Sequence, residues 1–448
     1  MKYDRSIKPS SSSEISFRMP SQSKFSLNNE LDVYFVKKND LPIVRINFII
    51  NAGSKFDPGD KKGTSNLLTM CIDEGAGEYN ALELSEQFDL LGAHFSINCN
   101  NDTIQITLQT LKENFREALD LLGKILTKPH LAETEFEREK SKIQTRLKQL
   151  SDDPDYLANT AFESLLFGDS HPYSFPVLGL YDNIANINND EMKSYYSKFI
   201  LPNNSFIIAV GDITEKELNE NLIEKFSDWQ KGNTDFQVGT TSSPDKKTVY
   251  IVNKKDSVQT EIRVGHHSTG KKSLDYFSKH LLNTILGGQF TSRINLNLRE
   301  KHGYTYGAGS SFNYYKDDAY FCVSTSVGIE NTANALNEIF YELTNIRKGV
   351  TEEELFFAKS SIIRKFPLNF ETYRQVASHI IGRVIYDLPD DYFEKYIENI
   401  NAVTIDEVNL AATENIFADS EMTVLVGAKD KLLEQLKDDN IGEIKVVD

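Results

Sequence analysis

Residues 33–54 read VYFVKKNDLPIVRINFIINAGS, and residues 249–270 read VYIVNKKDSVQTEIRVGHHSTG. Val33 and Val249, and likewise Asp40 and Asp256, lie 216 positions apart. The same offset returns far downstream, where Asp190-Glu191 matches Asp406-Glu407 and the run Ile207 to Gly211 (IIAVG) matches Thr423 to Gly427 (TVLVG). An offset kept at both ends of a long segment marks a duplicated domain. Within the first copy, Ile46, Phe48 and Ile50 alternate with Asn47 and Ile49, the period of a sheet strand.

Between these anchors both copies mix strands with helices. Ile104, Ile106 and Leu108 alternate with Gln105, Thr107 and Gln109 as a half-buried strand. Phe115, Ala118, Leu119, Leu122, Ile125 and Leu126 follow helical spacing, as do Leu336, Ile339, Phe340, Leu343 and Ile346. The order is not a strict strand-helix alternation. The expected fold is therefore α+β: two duplicated domains, each a mostly antiparallel sheet with helices packed on one face. The expected division is a flexible N-terminal arm over 1–24, a first domain over 25–230, a polar linker over 231–247 and a second domain over 248–448.

Bulk composition narrows the function classes. At 448 residues and 40% hydrophobic, the chain has the material for more than one core. A net charge of -17 argues against a general nucleic-acid binder, which needs clustered Lys and Arg against phosphate. It would bias any peptide partner toward neutral or basic character. Cys71, Cys99 and Cys322 are too few and too scattered for a disulfide framework or a Cys-based zinc site. No apolar run reaches the length of a membrane span, and the first residues lack the apolar core of a secretory signal. A cytoplasmic location is expected.

The richest stretch chemically is Leu286 to Ser311, LGGQFTSRINLNLREKHGYTYGAGSS. Gly287 and Gly288 open it and permit positive φ or close approach of another backbone. An amphipathic run with Ile294, Leu296 and Leu298 follows, and Arg299 and Tyr306 stand seven apart near its end. Arg offers a planar fork of donors for carbonyl or carboxylate oxygen, and Tyr a phenolic donor for a developing oxyanion. These are parts for holding a peptide, with no nucleophile, base or metal ligand beside them.

A second stretch, Ser65 to Asp73 (SNLLTMCID), follows Gly63 and a capping candidate at Thr64 or Ser65, and puts Leu67, Leu68, Cys71 and Ile72 on one helical face. With Ala52-Gly53-Ser54 and Lys62-Gly63 before it and Leu91-Gly92-Ala93 after it, this context resembles the N-terminal half of the pitrilysin/insulinase family of zinc peptidases, and its smaller bacterial and mitochondrial processing-peptidase branch most of all. The resemblance runs from about Asn28 to the C-terminal region. It implies a shell that is half of a clamshell, and a His-x-x-Glu-His helix whose two imidazoles bind zinc, with a distant glutamate as third protein ligand. Here the two histidine positions align with Asn66 and Met70, the base with Thr69 and the third ligand with Arg146. All four have changed. Arg146 opposes a cation: like charges 4 Å apart repel by about 4 kcal/mol at an effective dielectric near 20.

The same resemblance places Arg299 and Tyr306 on the family's substrate-binding pair, which holds the scissile peptide from across the cavity; Tyr304 is the fallback for the tyrosine role. The implied function is a non-catalytic, substrate-binding subunit of a heterodimeric zinc metallopeptidase. It would have no cofactor of its own and would be inactive alone, with zinc in a homologous partner chain. The competing implication is a structural scaffold related to processing-peptidase-like core proteins. Other histidines offer little. His130 to Thr134 (HLAET) has one His-x-x-Glu spacing at a helix entry, and His266-His267 point to opposite faces of a strand. His94, His171, His280, His302 and His379 lack neighbours at ligand spacing, and no Gly-x-Ser-x-Gly elbow occurs.

Overall fold

The computed structural model describes residue 15 and residues 17–233, 248–417, 421–437 and 442–447. Two six-stranded mixed sheets carry the chain. In the first, the strands β1 (Gln22–Ser26), β2 (Asp32–Lys37), β3 (Ile43–Ile50), β4 (His94–Cys99), β5 (Ile104–Leu111) and β6 (Ser205–Gly211) take the order β1-β2-β6-β3-β5-β4. In the second, β7 (Thr248–Asn253), β8 (Gln259–Ser268), β9 (Ala308–Tyr314), β10 (Ala319–Gly328), β11 (Met422–Gly427) and β12 (Glu443–Val447) take the order β12-β7-β11-β8-β10-β9.

The duplication read from the sequence is visible strand by strand. β2 and β6 pair in parallel, as do β7 and β11, while β3 and β8 run antiparallel to their neighbours on both sides. The two sheets differ at one edge. β1 closes the first from the N-terminal side of the chain, antiparallel to β2, and β12 closes the second from the C-terminal side, parallel to β7. The expected arm boundary at residue 24 therefore falls inside a strand: Lys24 pairs with Tyr34. Of the expected linker, residues 234–247 lie outside the described residues.

Each sheet packs one face on helices of its own half. Ile46, Phe48, Ile50, Ile106 and Leu108 meet Leu119, Leu122 and Leu126 in the first core, and Val249, Ile251, Ile262 and Val264 meet Leu281, Leu336 and Leu343 in the second. The expectation of helices on one face only is corrected by the other side of each sheet. Tyr34, Val36, Ile49, Phe206, Ile208 and Val210 on the outer face of the first sheet are covered by Val376, Ala377, Ile380 and Ile381 of the helix Tyr373–Ile385, which belongs to the second half. Reciprocally, Met422, Val424 and Val426 on the outer face of the second sheet are covered by Ala158, Phe162 and Leu166 of the helix Pro154–Phe167, from the first half.

The physical reason lies in the two inner strands. SFIIAVG and MTVLVG are buried at every position, so both of their faces require apolar cover. Each repeat lends the other its helix at the corresponding place, which fixes the two halves to each other through buried hydrophobic surface.

Candidate functional site

The helix Thr64–Cys71 is where the family resemblance places a metal. Its start differs from expectation. The N-cap is Gly63, in the left-handed region at φ +96°, and neither Thr64 nor Ser65 caps it with its side chain. The carboxylate of Asp57 does so instead, accepting from Gly63 N at 2.7 Å and Ser65 N at 2.8 Å. Asp57 is buried, and desolvation pushes its pKa up to about 7 despite these bonds.

This carries a pH prediction. A carboxyl whose folded pKa exceeds its unfolded value gives stability that is complete below about pH 4 and lost as pH rises through about 7. The melting temperature should therefore decline between about pH 4 and 7 by this term, and Asp57→Asn should flatten that decline. An unaltered pH profile of the variant would remove Asp57 as its cause.

The side chains along the helix do not form a zinc donor set. Thr69 Oγ1 donates to Asn66 O at 2.7 Å within the same helix turn, which occupies its proton. Asn66 Nδ2 lies 4.0 Å from Met70 Sδ, so the two positions do face each other one turn apart, but as an amide and a thioether. Arg146 is exposed on the helix Glu133–Leu150. An amide, a backbone-bound hydroxyl, a thioether and a guanidinium supply neither the imidazoles nor the anion that zinc takes. Cys71, one residue on, is held as the thiol, its pKa pushed up to about 12 by burial.

The charge between these two helices is instead settled by arginine. Arg138 meets Glu74 at 2.5 Å, Glu135 at 2.6 Å and Glu139 at 2.9 Å, and the buried Glu139 also takes Lys142 at 2.6 Å. Asp73 beside them is pushed up to about 6, by burial first and then by Glu74 and Glu139.

The stretch from Gly287 is rigidly built. Gly287 ends the helix Tyr276–Leu286 at φ -154°, so its need for glycine is not positive φ. A Cβ there would stand 2.4 Å from Ser310 N, whose N–H is bonded to Gly287 O at 3.1 Å; Gly288 is similarly tight against Asn283 and Thr284. Gly287 lets the helix end press against β9, and Gly288 lets the chain fold back on the last turn of that helix; Ser310 O of β9 also accepts from Asn283 Nδ2, and Ala308 N donates to Asn295 Oδ1.

After one α turn, Arg293–Asn295, the chain continues as a π-helix, Leu296–Lys301, with Ile294 and Leu298 anchored in the second core. Such widened turns recur at functional sites. Arg299 sits on this turn. Its guanidinium lies 4.5 Å from the centroid of the Phe290 ring and its side chain is 35% exposed. Phe290, itself exposed, is the support that sequence reading missed.

The loop then turns at Gly303, φ +68°. Tyr304 packs against the second core and stacks on His302 at 5.0 Å, so its ring is committed to structure. Tyr306 is 95% exposed. It does not hang on a loose segment, because Thr305 Oγ1 and Thr325 Oγ1 both donate to Gly307 O, at 2.9 and 3.0 Å. The two candidate side chains are thus an arginine propped on a phenyl face and a tyrosine held out from a pinned loop.

Sequence comparisons decide the family. The profile described as Insulinase (Peptidase family M16) matches residues 33–170, and the one described as Peptidase M16 inactive domain matches residues 186–362. The chain belongs to the M16 peptidase family. Among its relatives are a Rickettsia felis protein named an uncharacterized zinc protease, 25% identical over 90% of this chain and 97% of that one, and a Helicobacter pylori protein named a non-peptidase homolog, 25% identical over 85% and 88%. A Pseudomonas fluorescens structure described as a peptidase M16 inactive domain superposes at a TM-score of 0.85, with 23% identity over 91% of this chain and 98% of that chain. A Helicobacter pylori structure described as a protease superposes at 0.84, with 19% identity over 91% and 100%. These likenesses show the two-sheet M16 fold. Among the described residues of this M16 chain, no helix is long and apolar enough to cross a membrane, and no group of three or more His, Cys, Asp or Glu could hold a metal ion.

Proposed function

We propose that this chain is the non-catalytic, substrate-binding subunit of a heterodimeric M16 metallopeptidase. It contributes Arg299 and Tyr306 to a peptide held between the subunits, and a homologous partner supplies the zinc and the general base. One observation carries the reading: Tyr306 is 95% exposed on a loop whose neighbours are hydrogen-bonded in place. A tyrosine kept only for the fold would be expected to pack its ring against the core, as the partly buried Tyr304 does. The altered donor set at Asn66, Thr69, Met70 and Arg146 supports the assignment of metal chemistry to the partner. In this arrangement the guanidinium of Arg299 donates to the scissile carbonyl of the bound peptide and keeps that bond as charge develops on it. The phenol of Tyr306 donates to the oxygen on which negative charge develops.

A photoreactive side chain tests the contact. With Tyr306→benzoylphenylalanine in the assembled pair, irradiation should join a peptide substrate to position 306. The same replacement at Tyr341, also exposed, should not capture it. Absence of peptide at 306 in an assembled, active pair would refute the clamp. It would leave the scaffold reading, in which the pair Arg299 and Tyr306 is unused.

A further inference from the structure

A second surface of the same half has the form of a docking site. Ile285, Leu296 and Phe357 line a cavity of about 380 Å³ whose remaining wall is polar: Gln289, Thr291, Thr351 and the charged side chains Arg293, Glu353 and Glu354. The cavity lies between the π-helix turn and the start of the helix Glu352–Lys365. It is at the small end of the range for ligand-binding pockets.

Ile285 forms its buried floor, and the two other apolar side chains are exposed. Phe357 is 50% accessible and Leu296 43%, and the adjoining Phe356 is 71%. The helix that carries the two phenylalanines, EEELFFAKSSIIRK, packs on its own half through Leu355 and Ala358, with Ile362 and Ile363 partly buried against the same core, and is otherwise mostly charged or polar. Neither ring is needed to hold it. Single exposed apolar side chains are ordinary, but apolar side chains converging on one cavity mark a surface used for binding.

Charge selects the occupant. Arg293 is consumed by Glu354, with Nε to Oε1 at 2.7 Å and a second bond from Nη2 to Oε2 at 2.8 Å, and it also donates to Gly349 O. Glu354 in turn accepts from Thr351 N, the helix cap. Glu353 is exposed and forms no ion pair among the described residues. The lining therefore offers apolar walls and one uncommitted carboxylate, with its only cation already neutralised. An acidic ligand would find no free donor of positive charge there.

We propose that this cavity docks an extended peptide segment that inserts one bulky apolar side chain between Leu296 and Phe357 and sets an adjacent lysine or arginine against Glu353. The assignment goes beyond the clamp and is measured on this chain alone, so it stands or falls separately from Arg299 and Tyr306.

Fluorescein-labelled peptides of sequence Gly-Phe-Lys-Gly, Gly-Phe-Glu-Gly and Gly-Ser-Lys-Gly, titrated with the full chain and followed by anisotropy, test it. Gly-Phe-Lys-Gly should bind about tenfold more tightly than either of the others. Phe357→Ser should remove the preference for phenylalanine, and Glu353→Lys should turn the preference for lysine over glutamate round. Both positions are on the surface, and unchanged melting would show that the fold is intact. Equal binding of the three peptides would overturn the proposal. So would a preference that survives both substitutions, or one that is lost instead on Tyr306→Ala, which would place the peptide on the clamp.

Discussion

In the proposed pair of this chain with a zinc-bearing M16 partner, Arg299→Ala is expected to lower kcat by about 10²- to 10³-fold, the usual cost of removing one donor that meets charge in the transition state. The subunits should still associate, because Arg299 packs on its own chain's Phe290 and its side chain is one-third exposed. Tyr306→Phe should give a loss of the same order while leaving peptide affinity nearly unchanged, since it deletes the hydroxyl and keeps the ring. Phe290→Ala should act through Arg299, lowering kcat in the same direction as Arg299→Ala but by less, by freeing the guanidinium from its support. Steady-state kinetics of the three variants at matched subunit ratios separate these effects. Rates of all three within twofold of wild type would sink the clamp.

Lys55→Met should strongly destabilise the junction of the halves. Lys55 Nζ, fully enclosed, stands 2.9 Å from Asp102 Oδ1 and 2.6 Å from Asp317 Oδ2. Tyr173 donates its hydroxyl to Asp102 Oδ1 at 2.6 Å, and Lys316 N donates to Asp102 Oδ2 at 2.9 Å. Asp102 lies in the β4–β5 turn of the first sheet and Lys316 and Asp317 in the β9–β10 turn of the second, so one ammonium neutralises carboxylates from both halves. Its removal leaves Asp102 buried with no countercharge, at a cost of about 3 kcal/mol or more. Asp317→Asn, at a side chain 39% exposed, should cost under about 1 kcal/mol. Thermal and urea unfolding read both. A Lys55→Met protein that melts with the wild type would show that the network contributes nothing to holding the halves.

The fold was legible where it is periodic. The 216-residue offset announced the duplication, and β3, β5 and the helices Phe115–Thr127 and Thr332–Ile346 followed their apolar spacing. The exchange of helices between the halves was not read, although part of its signal was present. IIAVG and TVLVG are continuous apolar runs, which is how a strand covered on both faces reads, and alternation in neighbouring strands drew attention to one face only. Which helix covers the second face is a long-range matter: Ile380 and Ile208 share one buried cluster with no local pattern that links them.

The candidate site divides in the same way. The departures at Asn66, Thr69, Met70 and Arg146 need only the sequence and its resemblance. The support of Arg299 by Phe290, nine residues upstream, depends on the widened helical turn between them, which no spacing rule foretells. Asp57 was missed as the helix cap because it stands six residues before Gly63, outside the reach of any capping-box pattern. Tyr306, which the resemblance favours, is exposed, while its fallback Tyr304 packs against the second core, a difference that no spacing in the sequence carries.

The division of labour between two chains is tested most directly by cleavage of a quenched fluorescent peptide library. The assay is run with this chain alone in the presence of zinc and again after co-expression with an M16 relative that carries His-x-x-Glu-His. The account predicts no cleavage by the chain alone and zinc-dependent cleavage by the pair. Zinc-dependent cleavage by the purified chain alone, abolished by Arg299→Ala in that same chain, would contradict it.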